Sequence, residues 1–144
     1  MKAFFVACCA AMAMSTTTVT LAQDKSHEVV GSDAKVVLKT TKTMTDQPLS
    51  YPQSGKPEIT MMVVTMQPDG HTSLHKHPSP TVGYVIEGFV EVRADNVVLK
   101  VKAGEGFLEP IEGPMQIWNT NSAVSKLVIF VAGSEGTPVA VPIN

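Results

Sequence analysis

Three histidines fall within seven residues of one another: His71, His75 and His77. Residues two apart on a strand point to the same face, so His75 and His77 would set two imidazoles side by side. Such a pair offers two nitrogen ligands to one metal ion. The same H-x-H spacing also suits a surface pair at a loop mouth, and by itself it selects no reaction. His71 follows Pro68-Asp69-Gly70 and reads as a turn residue, while His27 sits in a polar N-terminal stretch and receives no role. Other catalytic signatures are missing: the chain has no G-x-S-x-G elbow and no phosphate-cradling glycine loop.

The elements that must carry these side chains read as strands. No stretch of the mature region keeps a 3.6-residue apolar period, and its β-branched runs are short and bounded by Gly or Pro. The runs are 36–38, 59–66, 82–86, 89–93, 97–101, 106–108, 115–118 and 127–131. Turn signals separate them, among them Pro68-Asp69-Gly70, Glu87-Gly88, Asp95-Asn96 and Glu112-Gly113-Pro114. Residues 41–57 hold Pro48, Pro52, Gly55 and Pro57 and are expected to form an ordered loop. About eight short strands at this spacing predict an all-β sandwich or jelly-roll barrel.

Two segments resemble a known family. Gly70 to Gly88, GHTSLHKHPSPTVGYVIEG, is similar to the first signature motif of the cupins; Gly104 to Asn119, GEGFLEPIEGPMQIWN, is similar to the second, with Gly104, Pro110 and Asn119 in frame. The likeness covers roughly residues 58–135. It implies a double-stranded β-helix jelly-roll barrel with a metal held by two histidines and a glutamate of the first motif and a histidine of the second. This chain departs from that pattern: Thr81 stands at the glutamate position, Met115 at the second-motif histidine position, and Glu112 at a glycine position.

Three readings of the site follow. His75, His77 and Met115 would offer two nitrogens and a thioether, a set that favours copper, above all Cu(I). Alternatively Glu58, which opens the strand before the first motif, or Glu109, six residues before Met115, completes a two-histidine, one-carboxylate site for a divalent ion such as Fe(II), Mn(II) or Zn(II). In the third reading the barrel mouth takes a small molecule without metal, lined by His75, His77, Tyr84 or Trp118.

The first 22 residues differ from the rest. Lys2, the apolar small-residue run from Ala3 to Met14 and the exit Thr20-Leu21-Ala22 have the order of a secretory signal peptide cut after Ala22. That run is too short for a bilayer span, which takes about 20 apolar residues. The expected organisation is a leader over 1–22, an N-terminal arm over 23–34 and the barrel over 35–144, in a periplasmic or secreted protein. Cleavage would remove both cysteines, Cys8 and Cys9, so the mature chain folds on its core without a disulfide. It would also leave ten cationic against thirteen acidic side chains, a net charge of −3 with His neutral. That balance points away from nucleic acid and from an anionic membrane surface. A homodimer is compatible with the chain. The expected function is binding of a metal ion or small ligand in the barrel pocket through His75 and His77; the alternative is a metal-dependent oxygenase or lyase acting on a small molecule.

Overall fold

The computed structural model describes residues 34–144, so the expected leader and all but the last residue of the arm lie outside the described residues. The described part falls to one compact unit, Lys35–Asn144. Its nine strands are β1 (Pro57–Met66), β2 (His75–Lys76), β3 (Thr81–Glu87), β4 (Phe89–Ala94), β5 (Val97–Lys102), β6 (Gly106–Leu108), β7 (Met115–Trp118), β8 (Ser125–Ser134) and β9 (Val141–Pro142). They form a four-stranded sheet in the order β1-β8-β3-β6 and a five-stranded sheet in the order β5-β4-β7-β2-β9. All strand pairs are antiparallel. This is the jelly-roll arrangement of two facing sheets.

Period-2 alternation puts one set of side chains between the sheets. On β8, Leu127, Ile129 and Val131 are buried; on β4, Val90 and Val92 are. They meet Val85, Val101, Phe107 and Met115 in one continuous core. Gly83 is needed at a close approach: a Cβ there would stand 2.1 Å from the Phe107 ring. That contact seats β6 against β3. Gly88 turns the chain between β3 and β4 at a φ of 73°, a region open to glycine at little cost.

Asn119 locks the loops at one end of the barrel. It is fully buried, and its amide nitrogen donates to the carbonyls of Met66, Gln67 and Ala123 at 2.9–3.0 Å. Its Oδ1 accepts from Asn121 N and Ser125 Oγ. Every polar atom of the side chain is thus matched, as burial requires.

Two expectations change. Residues 36–38 form no strand; Val36 and Val37 are exposed, and Leu38 is half-buried beside Gly106. A β-branched run becomes a strand only where an edge is free to pair with it. Conversely, the two-residue strands β2 and β9 come from stretches that carry no strand pattern. Residues 41–56 form the expected ordered loop, with Pro57 already opening β1, held by Thr43 N to Gln47 O and Met44 N to Leu108 O. Its Gln47 side chain bonds the backbone of Ile111 twice, at 2.9 Å each.

Candidate metal-binding cavity

His75 lies on β2, where β7 on one side and β9 on the other fix it. His77 lies just past the strand, in an isolated parallel bridge with Ile111. Glu112 N donates to His77 O at 2.8 Å, and Glu109 N donates to Thr81 O at 2.9 Å. These bonds lay residues 109–112 alongside residues 77–81 and press Glu109 against His77.

The result is a buried triad. His75 Nε2 and His77 Nε2 are 3.0 Å apart, and Glu109 Oε2 is 2.7 Å from His77 Nε2. Glu109 is only 1% exposed and His77 4%. The outer nitrogens are engaged too: His75 Nδ1 lies 2.7 Å from Ser73 O, and His77 Nδ1 lies 2.7 Å from Val139 O. A carbonyl oxygen only accepts, so both Nδ1 atoms carry hydrogens. In the neutral rings both Nε2 lone pairs then aim inward, at each other and at the carboxyl group of Glu109. Such an inward set of acceptors calls for a cation or a proton. Neither Glu109 oxygen has a hydrogen-bond partner apart from that His77 contact, which becomes a hydrogen bond only when one of the two atoms carries a proton. Burial opposes charge on His77. The hydrogen bond and charge of Glu109, helped by Val139 O, outweigh it and raise the His77 pKa above the ordinary 6.5.

The triad opens on a cavity of about 130 Å³, walled by Met62, Val64, Ile117, Ile129, Val139 and Ala140 with Thr72. Thr72 Oγ1 is already bonded by Ile117 N. No Lys or Arg lines the cavity. A larger hollow of about 540 Å³ beside Lys39–Thr43 and Asp46 is open to solvent and gathers no chemistry-bearing cluster.

The candidate residues therefore part company. His75, His77 and Glu109 come together. Met115 does not join them: although paired with His75 across β2 and β7, it packs into the apolar core, and Ile117 reaches the cavity instead. The mixed His–His–Met copper set is therefore not the set that lines the cavity. Glu58 is exposed near the start of β1, outside the cavity lining. Tyr84 is exposed on the outer face of β3, and Trp118 lies outside the cavity, stacked on His71 at 4.2 Å and covered by Arg93 at 4.6 Å. Thr81 is buried, donates to Ser79 O and is not among the residues lining the cavity. The walls from Val139 and Ala140 went unanticipated; the segment GTPVAVPIN carries no periodicity that would announce them.

The donor set fits a cation. Ligand bonds of about 2.0–2.2 Å to one ion place neighbouring donor atoms roughly 3 Å apart, as these are. The Nδ1–H···O=C bonds are the outer partners that metal-binding histidines ordinarily have. Among the described residues, no group of three or more His, Cys, Asp or Glu side chains stands in an arrangement that could hold a metal ion without a shift of its side chains.

The profile of the cupin domain matches residues 62–131. No curated protein matches the chain. Solved structures that resemble it include a protein from Thermus thermophilus, at 23% identity over 57% of this chain and 77% of that one, with a TM-score of 0.50. An oxalate oxidase in complex with the substrate analogue glycolate matches at 22% identity over 59% of this chain and 46% of its own, with a TM-score of 0.52. The formate complex of Lactobacillus farciminis oxalate decarboxylase matches at 21% identity, 59% and 26% coverage and a TM-score of 0.52. The chain thus spans less than half of either oxalate enzyme, and at these identities the likeness is one of fold.

Proposed function

The chain carries a cupin domain, and from that premise we propose that it binds a divalent metal ion through His75, His77 and Glu109, with a small molecule in the adjoining cavity. The observation that carries this reading is the pair of Nδ1–H···O=C bonds, which turn both Nε2 lone pairs onto one point beside a buried carboxyl group. Two imidazoles and a carboxylate suit Fe(II), Mn(II) or Zn(II). Such an ion would supply Lewis acidity or redox chemistry to a bound molecule. The protein's own part is to orient both rings, exclude water with six apolar walls and bring Glu109 to the site.

The cavity also selects its occupant. Its volume equals roughly four waters at about 30 Å³ each, and it offers no cationic side chain. A small, uncharged, weakly polar molecule fits it better than a dianion, which would go unpaired at high cost.

A metal-dependent enzyme of oxygenase or lyase type is the second reading. The observation that favours it is the room beside the donors, since catalytic metal sites keep an open position. We also place the protein outside the cytoplasm, on the charge–apolar–small order of residues 1–22. N-terminal sequencing of exported protein should find Gln23; finding Met1 would remove that assignment.

Elemental analysis of protein purified from its own compartment tests the central reading. It should find about one equivalent of iron, manganese or zinc, lost in Glu109→Gln. Protein that is metal-free as purified and that takes up none of these ions on titration would contradict it.

A further inference from the structure

Among the described residues, the cavity wall holds one polar side chain besides the triad, Thr72. Four hydrogen bonds fix it. Its N donates to Ile117 O at 2.9 Å, and its O accepts from Gln116 Nε2 and from His71 Nδ1 at 3.0 Å each. Its Oγ1 accepts from Ile117 N at 2.9 Å, which holds the side chain in one orientation against β7. A hydroxyl that accepts still has its own hydrogen to give. That of Thr72 meets no acceptor among the described residues. By contrast, the buried hydroxyls of Thr81 and Ser134 are spent within the protein, on Ser79 O and Ser54 O at 3.0 Å each. Thr72 thus brings to an otherwise apolar wall a donor that is held in place and unused. In ligand pockets a few such polar groups fix which molecule binds and how.

We infer that Thr72 selects the cavity's ligand by donating its hydroxyl hydrogen to an acceptor oxygen, and that this ligand is a small neutral carbonyl compound or ether. This selection presupposes the ligand reading of the cavity proposed above and names the group that such a ligand carries. A hydrocarbon of the same shape would take water away from the hydroxyl and return no acceptor, leaving a donor unmatched. A neutral oxygen matches it. A carboxylate oxygen would match it too, but its charge would find no Lys or Arg in the cavity wall and would stay buried unpaired. The remaining walls are apolar, so a further polar group set against them would lose its water without a partner. The ligand class is therefore one acceptor oxygen on a compact apolar body.

Equilibrium binding of two probes to the purified protein tests it: cyclopentanone, and methylenecyclopentane, which replaces C=O by C=CH2 at nearly the same shape. Wild type should bind the ketone about fivefold tighter, the worth of one net hydrogen bond. Thr72→Val keeps the shape of the side chain and removes the hydroxyl, and the two probes should then bind alike. Thr72→Ser keeps the hydroxyl and should keep the preference. The infrared carbonyl stretch of bound cyclopentanone should lie lower in wild type and Thr72→Ser than in Thr72→Val, a shift that a merely structural residue would not produce. If Thr72→Val does not fold, the stretch in chelator-treated wild type decides against that of the ketone in alkane: lowered supports the assignment, unshifted overturns it. Equal affinities in wild type, no binding of either probe, or a ketone preference that survives Thr72→Val also overturns it. Metal content is measured on the same samples. A metal-free protein with a Thr72-dependent preference would sink the metal assignment alone; a metal-loaded protein whose preference ignores Thr72 would sink the role of Thr72 alone.

Discussion

The two motif segments contribute to the cavity in different ways. In the first, sequence order and spatial order agree: His75 and His77 stand two apart and both rings reach one point. In the second they do not. Met115 occupies the position where a histidine ligand is expected, yet its side chain joins the core, while Glu109, six residues earlier, enters the cavity. Between them Glu112 takes a φ of 59° and Gly113-Pro114 breaks the strand. The backbone alignment of 109–112 with 77–81 decides the outcome, not strand parity. A position in a motif frame is therefore not a position at a site until the connecting turn is known.

The first way to break this comparison is His77→Ala. It removes the residue common to both contacts of the triad. Metal affinity should fall by more than the about 10–100-fold that a lost outer partner costs, measured by competition with a chromophoric chelator. Unchanged affinity would mean that the triad is a structural hydrogen-bonded cluster.

A smaller effect is expected from Gly83→Ala. The added Cβ would meet the Phe107 ring, and overpacking of this kind costs about 1–3 kcal/mol. Because Phe107 and Glu109 lie on the same short segment, metal affinity should weaken alongside stability. Urea unfolding with parallel metal titration checks both. Lost stability with full affinity would show that Glu109 is held by Thr81 and Gln47 contacts independently of Phe107.

The smallest effect is one of pH on the metal-free protein. The His77 pKa is raised in the folded state, so its stabilising contribution is complete below the ordinary value of 6.5 and is lost as pH rises through the raised one. Chelator-treated protein should therefore show a falling melting temperature over that range, and Glu109→Gln should flatten the trend. A metal ion must displace the same proton, so metal binding should strengthen as pH rises. A trend of the opposite sign would mean that His77 is held neutral.

Much of this was legible before any coordinates. Strands β1, β3 to β8 follow from β-branched runs with turn residues between them, and the His75–His77 pair was legible from its spacing, although the strand ends at Lys76 and the bridge of His77 to Ile111 holds the second ring. Glu109 was legible only as one carboxylate among two, since nothing in its spacing separates it from Glu58; burial does. β2 and β9 could not be read, because two residues carry no period. The walls at Val139 and Ala140 could not be read either, since they are positioned by the His77 Nδ1 bond to Val139 O and by β9 on β2, contacts over more than sixty residues of chain.

The most direct test sets the two second-motif residues against each other in one titration of Zn(II) or Mn(II). Met115→Leu conserves volume in a core and should cost under about 1.5 kcal/mol of stability, with metal affinity as in wild type. Glu109→Gln keeps shape but removes the charge, and affinity should drop steeply while the fold survives. The reverse pattern, affinity lost with Met115 and kept without the Glu109 carboxylate, would contradict the assignment of Glu109 as the third ligand.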